Sequence, residues 1–444
     1  MDADTKAITH RRVLHIAIPI VISNATYPIL GAVDTGVVGQ LGEAAPIGAV
    51  GVGSIILAAI YWIFGFLRMG TSGLVAQARG AGDVPETGAL LVRGLMIGAV
   101  AGLVFILFQS ALFSGAFKIS PATPEVENLA SQYLSIRIWG APAAISTYAI
   151  TGWLIAMERT RAVLILQLWM NGLNIALDIW FVLGLGWGVE GVAIATLIAE
   201  WSGVLLGLWL CRAAFGGDQW RDWKRVFDRI KIKRMAVVNG DIMLRSVLLQ
   251  TSFLTFLFIG AGLGDETLAA NQILLQFVGI TAYALDGFAF AAEALVGQAF
   301  GARNRAALRR GAWLSSKWAF GASLLLVGAF ALAGTTIIDI MTTAPDVRIE
   351  ARSYLWWMVI FPIIGLPSWM FDGFFIGATR TREMRLAMFQ SAIVYGVLLF
   401  VLVPTMGNHG LWMSLIIFDI VRALTLWRYY PALEASADGP SENI

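Results

Sequence analysis

Residues 74–82 read LVAQARGAG, and 221 positions later residues 295–303 read LVGQAFGAR. The same shift relates GWLIAMERTR at 152–161 to GFFIGATRTR at 373–382, and a shift of 219 relates GVEGVAIATLIAE at 188–200 to GNHGLWMSLIIFD at 407–419. Three matches at nearly one offset mark an internal duplication, which governs the fold of the whole chain. The medium follows from composition. With 58% apolar residues, 14% charged, 47 glycines and a mean hydropathy of +0.74 over 444 residues, the sequence is that of a polytopic membrane protein.

Apolar segments lie near 13–41, 47–78, 90–115, 128–156, 162–185, 190–212, 236–262, 267–299, 308–340, 350–378, 384–406 and 408–430. Each reaches the ~20 residues that a spanning helix needs. The expected fold is therefore an all-α polytopic membrane protein, with twelve transmembrane helices in two pseudo-symmetric six-helix lobes. An even number of spans per repeat starts both halves on one face, so their symmetry axis runs along the membrane normal. The expected boundaries are an N-terminal lobe at 1–212, a basic linker with a surface helix at 213–235, a C-terminal lobe at 236–431 and a polar tail at 432–444. The first dozen residues are polar and no short apolar core with a cleavage site precedes the first span, so no removable signal peptide is expected.

Lys and Arg fall mainly on one side: 24 of the 31 lie in the termini and in alternate loops, eight of them within 212–234, against Lys118, Arg348 and Arg352 opposite. That bias predicts that both termini are cytoplasmic, and the expected location is the cell (inner or plasma) membrane. Loop charge of this kind is topological, so no nucleic-acid partner is expected. The lone cysteine, Cys211, excludes an internal disulfide and a cysteine metal cluster. No HExxH, serine-nucleophile or GxxxxGK[ST] motif occurs, which argues against an enzyme and against nucleotide-driven transport. The expected machine is a monomeric transporter in the lipid bilayer, with no cofactor, moving small molecules by alternating exposure of a cavity between the lobes.

Charges inside spans are costly and mark a pathway or a pair. The candidates are Asp34, Asp178, Glu200, Asp241, Asp286, Glu293, Asp372 and Asp419 against Arg68, Arg137, Arg245 and Arg422. Asp241 and Arg245 have the spacing of a self-neutralising helical pair. Asp286 and Glu293 share a face; either can answer Arg245 or Arg68, as packing network or as cavity site. Glu200, Asp419 and Arg422 occupy equivalent late positions of the two halves and read as scaffolding. Asp372 matches Thr151 in the first half, so duplication did not dictate a carboxylate there, and it stands as a candidate for cation or substrate contact.

The first half holds the stronger constellation. Asn174 and Asp178 share one helix face. Asp178 lies nine residues before the turn near Trp187 and Thr196 nine after it, which places both at one depth in antiparallel helices. Asp34 lies about seven residues before the outer end of its helix, a similar depth of ~10–14 Å. Pro28, Gly31, Gly36 and Gly39 make that helix deformable. A carboxylate in a span is less costly neutral than charged, so proton uptake at Asp34 can bias which bend is stable. Alternatively, Asp34, Asn174, Asp178 and Thr196 can hold a hard monovalent cation such as Na+; the residue types do not choose.

The chain resembles the multidrug and toxic compound extrusion (MATE) transporters, within them the DinF-like branch. The proline-bearing first helix with Asp34, FLRMGTSGLVAQA at 66–78, NGDIMLRSVLLQ at 239–250 and LDGFAFAAEALVGQAFGAR at 285–303 carry the likeness. The resemblance implies two six-helix lobes in a V-shaped arrangement around a central cavity, and export of organic cations or amphipathic compounds in exchange for H+ or Na+. It implies a first-lobe cation site at Asp34, Asn174, Asp178 and Thr196. Leu30 stands where some members have a tyrosine one turn before the aspartate. Flat faces for hydrophobic cations are sought in Trp139, Trp153, Trp180, Trp356 and Trp369. A flippase for a lipid-linked anionic precursor is the alternative; it needs a cationic cavity, which Arg68, Arg137 and Arg245 keep open.

Overall fold

The structure, a computed structural model, describes residues 7–26, 33, 36–40, 43–119, 123–216 and 218–438. Among these residues no strand occurs. The helices of the first repeat are α1 (His10–Asn24), α2 (Ala44–Ile63), α3 (Gly65–Gly80), α4 (Val84–Leu107), α5 (Gln109–Ile119), α6 (Pro124–Arg137), α7 (Ala141–Ala156), α8 (Thr160–Asp178) and α9 (Gly188–Leu210). A short α10 (Trp223–Val226) leads to α11 (Arg229–Gly262), α12 (Asp265–Gly301), α13 (Arg305–Met341), α14 (Pro345–Gly377), α15 (Thr381–Met406) and α16 (Asn408–Ser436).

Ten stretches of the described residues are long and apolar enough to cross a membrane, α2 with α3 counting as one. The other two crossings of the twelve are the one that α1 begins, part of which lies outside the described residues, and α6 with α7, broken by a 3-10 turn at Ile138–Gly140. Helix α11 starts at Arg229, ahead of the expected 236, because the basic run RIKIKR is helical as well. The linker before it is two 3-10 turns and α10, whose N-terminus Asp222 caps by accepting from the Arg225 amide.

Two compact units make up the fold. One comprises residues 22–75 and 83–232; the other comprises the described parts of 1–21, 76–82 and 233–444. The start of α1 and the end of α3 thus group with the C-terminal half rather than with the N-terminal lobe set out from the sequence. In that unit Arg12 donates to Gln298 Oε1 at 2.9 Å, Arg310 Nε to the Ile8 carbonyl at 2.7 Å, and Gln77 Nε2 to the Gly377 carbonyl at 3.1 Å. The opening motifs also meet there reciprocally. A Cβ on Gly80 would collide with the Gln298 backbone, and one on Gly301 with the Gln77 backbone. Only glycine permits that approach at both places.

The other unit shows what glycine spacing does between spans. Along α4, a Cβ on Gly94 would lie 2.7 Å from Ala149, one on Gly98 2.6 Å from Ser146, and one on Gly102 would overlap Pro142. Small residues every four positions let α4 and α7 approach closely, which drives helix association where lipid removes the hydrophobic force. The linker docks on this unit through charge. Glu86, buried in the first turn of α4, accepts from Arg93 at 2.7 Å and from Lys231 at 2.6 Å, while Arg93 Nε donates to the Val226 carbonyl at 2.8 Å.

The duplication is visible in the backbone. Asp83 and Asn304, 221 apart, cap their helices by accepting from the amides of Glu86 and Ala307. Gly82 and Arg303 are both left-handed, at φ 75° and 53°, as are Glu158 and Thr379, at 56° and 52°. Gly152 packs on the Arg68 carbonyl as Gly373, 221 later, packs on that of Ala289.

Candidate functional site

Helix α8 carries a polar stripe. Gln167, Asn171, Asn174 and Asp178 recur at spacings of four, three and four, which keeps them on one face. Asn174 is 1% exposed and Asp178 fully buried. Asn174 Nδ2 donates to Thr196 Oγ1 of α9 at 3.1 Å, and that hydroxyl donates to the Val192 carbonyl at 3.0 Å. No described group donates to the buried Asn174 Oδ1. The two elements meet at one depth because α8 and α9 are antiparallel neighbours joined by a tight connection. Asp178 ends the α-helical part of its span, and Ile179–Gly184 continue as a π-helical turn, a distortion that recurs at functional positions. Asp34, with Pro28, Leu30 and Gly31, lies outside the described residues.

Higher on the same stripe, Gln167 donates to Asn171 Oδ1 at 2.8 Å, and Asn171 donates to Thr26 Oγ1 at 2.9 Å, next to the end of α1. Gln167, Asn171 and Thr26 are not among the residues expected above. The heptad-like spacing on α8 was the available signal.

The second half arranges its charges differently. Arg245 pairs with Asp372; Arg422 lies 3.3 Å from Asp372 and 3.3 Å from Asp419. Ser368 donates to Asp419 at 3.2 Å and accepts from Arg422 at 2.9 Å. All five are buried, from 0% to 7% exposed, and two guanidiniums balance two carboxylates. The pairing of Arg245 with Asp241 suggested by their spacing does not form. Asp241 instead accepts from Arg385 at 2.6 Å and Thr381 at 3.1 Å. A helix turn separates the two side chains, and each finds a better-placed partner on a different neighbouring helix. Asp286 is half-buried with its charge in reach of Arg245, and Glu293 and Arg68 are buried.

Glu200 behaves as scaffolding. It is buried and accepts from Arg137 at 2.8 Å, with Tyr133 beside the guanidinium at 3.4 Å. A side chain at Gly140 would strike its carboxylate. Of the tryptophans, Trp153 is a correction: it is 1% exposed, and its indole donates to the Thr87 carbonyl at 3.1 Å. It is a core residue, held because a buried indole N–H requires an acceptor. Trp139, Trp180 and Trp356 are about half exposed, and Trp369 is partly buried against Phe361 and Gly365.

A duplicated twelve-span helical chain, with a buried carboxylate, amide and hydroxyl set on facing helices, defines a membrane transporter of the two-repeat kind. The chain belongs to the MatE family, which it matches over residues 19–180 and 242–404; it is a transporter and not an enzyme. It is 38% identical over 424 residues to DNA damage-inducible protein F of Escherichia coli, covering 93% of this chain and 91% of the relative. It is 29% identical over 315 residues to the probable multidrug resistance protein NorM of Synechocystis, covering 69% and 67%. Among solved structures it resembles MATE in the bent conformation, with TM-score 0.87, 21% identity and 97% of both chains covered. It also resembles an outward-facing multidrug resistance MATE family transporter of the MOP superfamily, with TM-score 0.86, 20% identity and 97% of both chains.

Proposed function

We propose that this chain is a secondary active efflux antiporter of the cell membrane, exporting organic cations or other amphipathic compounds in exchange for H+ or Na+. The observation that carries the reading is the Asn174–Thr196 hydrogen bond at 3.1 Å, one turn from the fully buried Asp178. Neutral oxygens beside a buried carboxylate suit either of two occupants, a bound monovalent cation or a carboxylate that cycles through its protonated form. Asp34 completes the set in this proposal, and its neutralisation biases the bend of the first span. The naming of relatives as multidrug resistance proteins supports the substrate class. In the second half Asp372 is matched by Arg245 and Arg422, so its carboxylate is already held by two guanidiniums and suits a coupling ion less well. The same balance weighs against the flippase reading, because Arg245 is already committed to a carboxylate.

The test is transport in liposomes. A fluorescent organic cation is followed under an imposed proton gradient or an imposed sodium gradient, for native protein, Asp34→Asn and Asp178→Asn. Movement driven by one gradient and lost in both variants establishes the exchanger and its ion. Coupled movement that survives both substitutions removes the proposed site.

A further inference from the structure

At the end of α12 and the start of α13 the surface opens into a cleft of about 1060 Å³. Arg303, Arg305, Arg309 and Arg310 line it together with Trp313, and Glu434 of the last helix and Asp438, just past its end, close one wall. All four arginines are exposed. Glu434 accepts from Arg309 at 2.6 Å and 3.3 Å and lies 3.6 Å from Arg305. Asp438 accepts from the Arg305 amide at 3.3 Å, and Arg310 spends Nε on the Ile8 carbonyl. The two acids leave a net charge of two positive, with guanidinium edges still facing solvent.

The surface below the cleft decides what kind of anion belongs there. Arg309, Trp313, Phe320 and Leu324 follow one another at helical spacing on one face of α13. Trp313 is 68% exposed, Phe320 46% and Leu324 48%. From Arg309 to Leu324 the helix rises about 22 Å, most of one leaflet. A basic head, a tryptophan one turn below it and an exposed apolar track form an interfacial anchor pattern in which the polar and acyl parts of one molecule are met in register. A free phosphate would use only the top of this surface.

We propose that this cleft binds the phosphate of an anionic phospholipid, such as phosphatidylglycerol, whose acyl chain lies along Trp313, Phe320 and Leu324. Arg305 and Arg309, one turn apart on α13, hold the phosphodiester, and Arg303 adds a third charge from the preceding turn.

The test uses full-length protein, delipidated in neutral detergent and titrated with phosphatidylglycerol, phosphatidylcholine or inorganic phosphate, with bound molecules counted by native mass spectrometry. Phosphatidylglycerol binds saturably and phosphatidylcholine much more weakly. The Arg305→Gln/Arg309→Gln variant loses roughly thirty-fold in apparent affinity, from about one unit of surface electrostatic attraction per arginine. Because Glu434 loses partners in that variant, Arg303→Asn is measured beside it. Asparagine tolerates the left-handed backbone, so this variant keeps the fold and loses roughly five-fold. Arg161→Gln, an exposed arginine outside the cleft, leaves binding unchanged. Equal losses in Arg161→Gln and the cleft variants, or inorganic phosphate displacing the lipid at equal concentration, overturn the proposal.

Discussion

Asp178→Asn and Asp419→Asn make the same chemical change in the two halves, and the proposed mechanism requires opposite consequences. Asp419 is 5% exposed, lies 3.3 Å from Arg422 and accepts from Ser368 at 3.2 Å. Removing its charge leaves the guanidiniums of Arg245 and Arg422 with Asp372 and the half-buried Asp286, so the buried Arg422 loses one of its two carboxylate partners. Breaking a buried pair in this way costs about 3–5 kcal/mol. At roughly 2–4 °C per kcal/mol for a large domain, the midpoint of thermal unfolding falls by on the order of 10 °C. Asp178, if it cycles between charged and neutral forms, must be accommodated in both, so the isosteric asparagine leaves the midpoint within about 2 °C. The assay pairs thermal unfolding in detergent with gradient-driven transport in liposomes, normalised to folded protein. Asp178→Asn should fold normally and lose coupled transport; Asp419→Asn should unfold early and, below its midpoint, still transport. A large loss of stability in Asp178→Asn would make that residue scaffolding. Normal stability with no transport in Asp419→Asn would move the coupling site to the second half.

Glu200→Gln strands the buried Arg137 and should destabilise by about 3–5 kcal/mol, whereas Arg137→Met combined with Glu200→Gln recovers most of that loss; additive losses in a double-mutant unfolding series would contradict the pairing at 2.8 Å. Gly98→Val forces atoms into the crossing with Ser146 and should cost at least about 1–3 kcal/mol, while Gly240→Ala, with nothing within 4 Å, should be neutral or stabilising by about 0.5–1 kcal/mol; the same unfolding assay separates them. Cys211 is fully buried, so maleimide should label the native protein negligibly and the denatured protein fully.

The duplication was legible because it is written in residues that backbone geometry constrains. Gly80 and Gly301 sit where no side chain fits, and Asp83 and Asn304 cap helices. Asn174, Asp178 and Thr196 were legible for a related reason, since helix period and distance from a turn fix face and depth. Partners across helices were not. Asp241 and Arg245 share a face, but only the neighbouring helices decide that one meets Arg385 and the other Asp372. Trp153 could not be told from a cavity residue by composition, because its role depends on the Thr87 carbonyl 66 residues away. Nor did chain order show that residues 76–82 associate through backbone contact with a motif 221 positions later.

That reciprocal glycine contact has a mechanical character of its own. Where helices meet through long side chains, a gap of an ångström can be taken up by rotamers leaning across it. Between Gly80 and Gln298, and again between Gly301 and Gln77, backbone rests on backbone with no side chain to lean. A radial gap of 0.5–1 Å there forfeits about a quarter to a half of the dispersion attraction. Any parting of the junction therefore costs attraction from the first fraction of an ångström, and it does so at both copies of the motif.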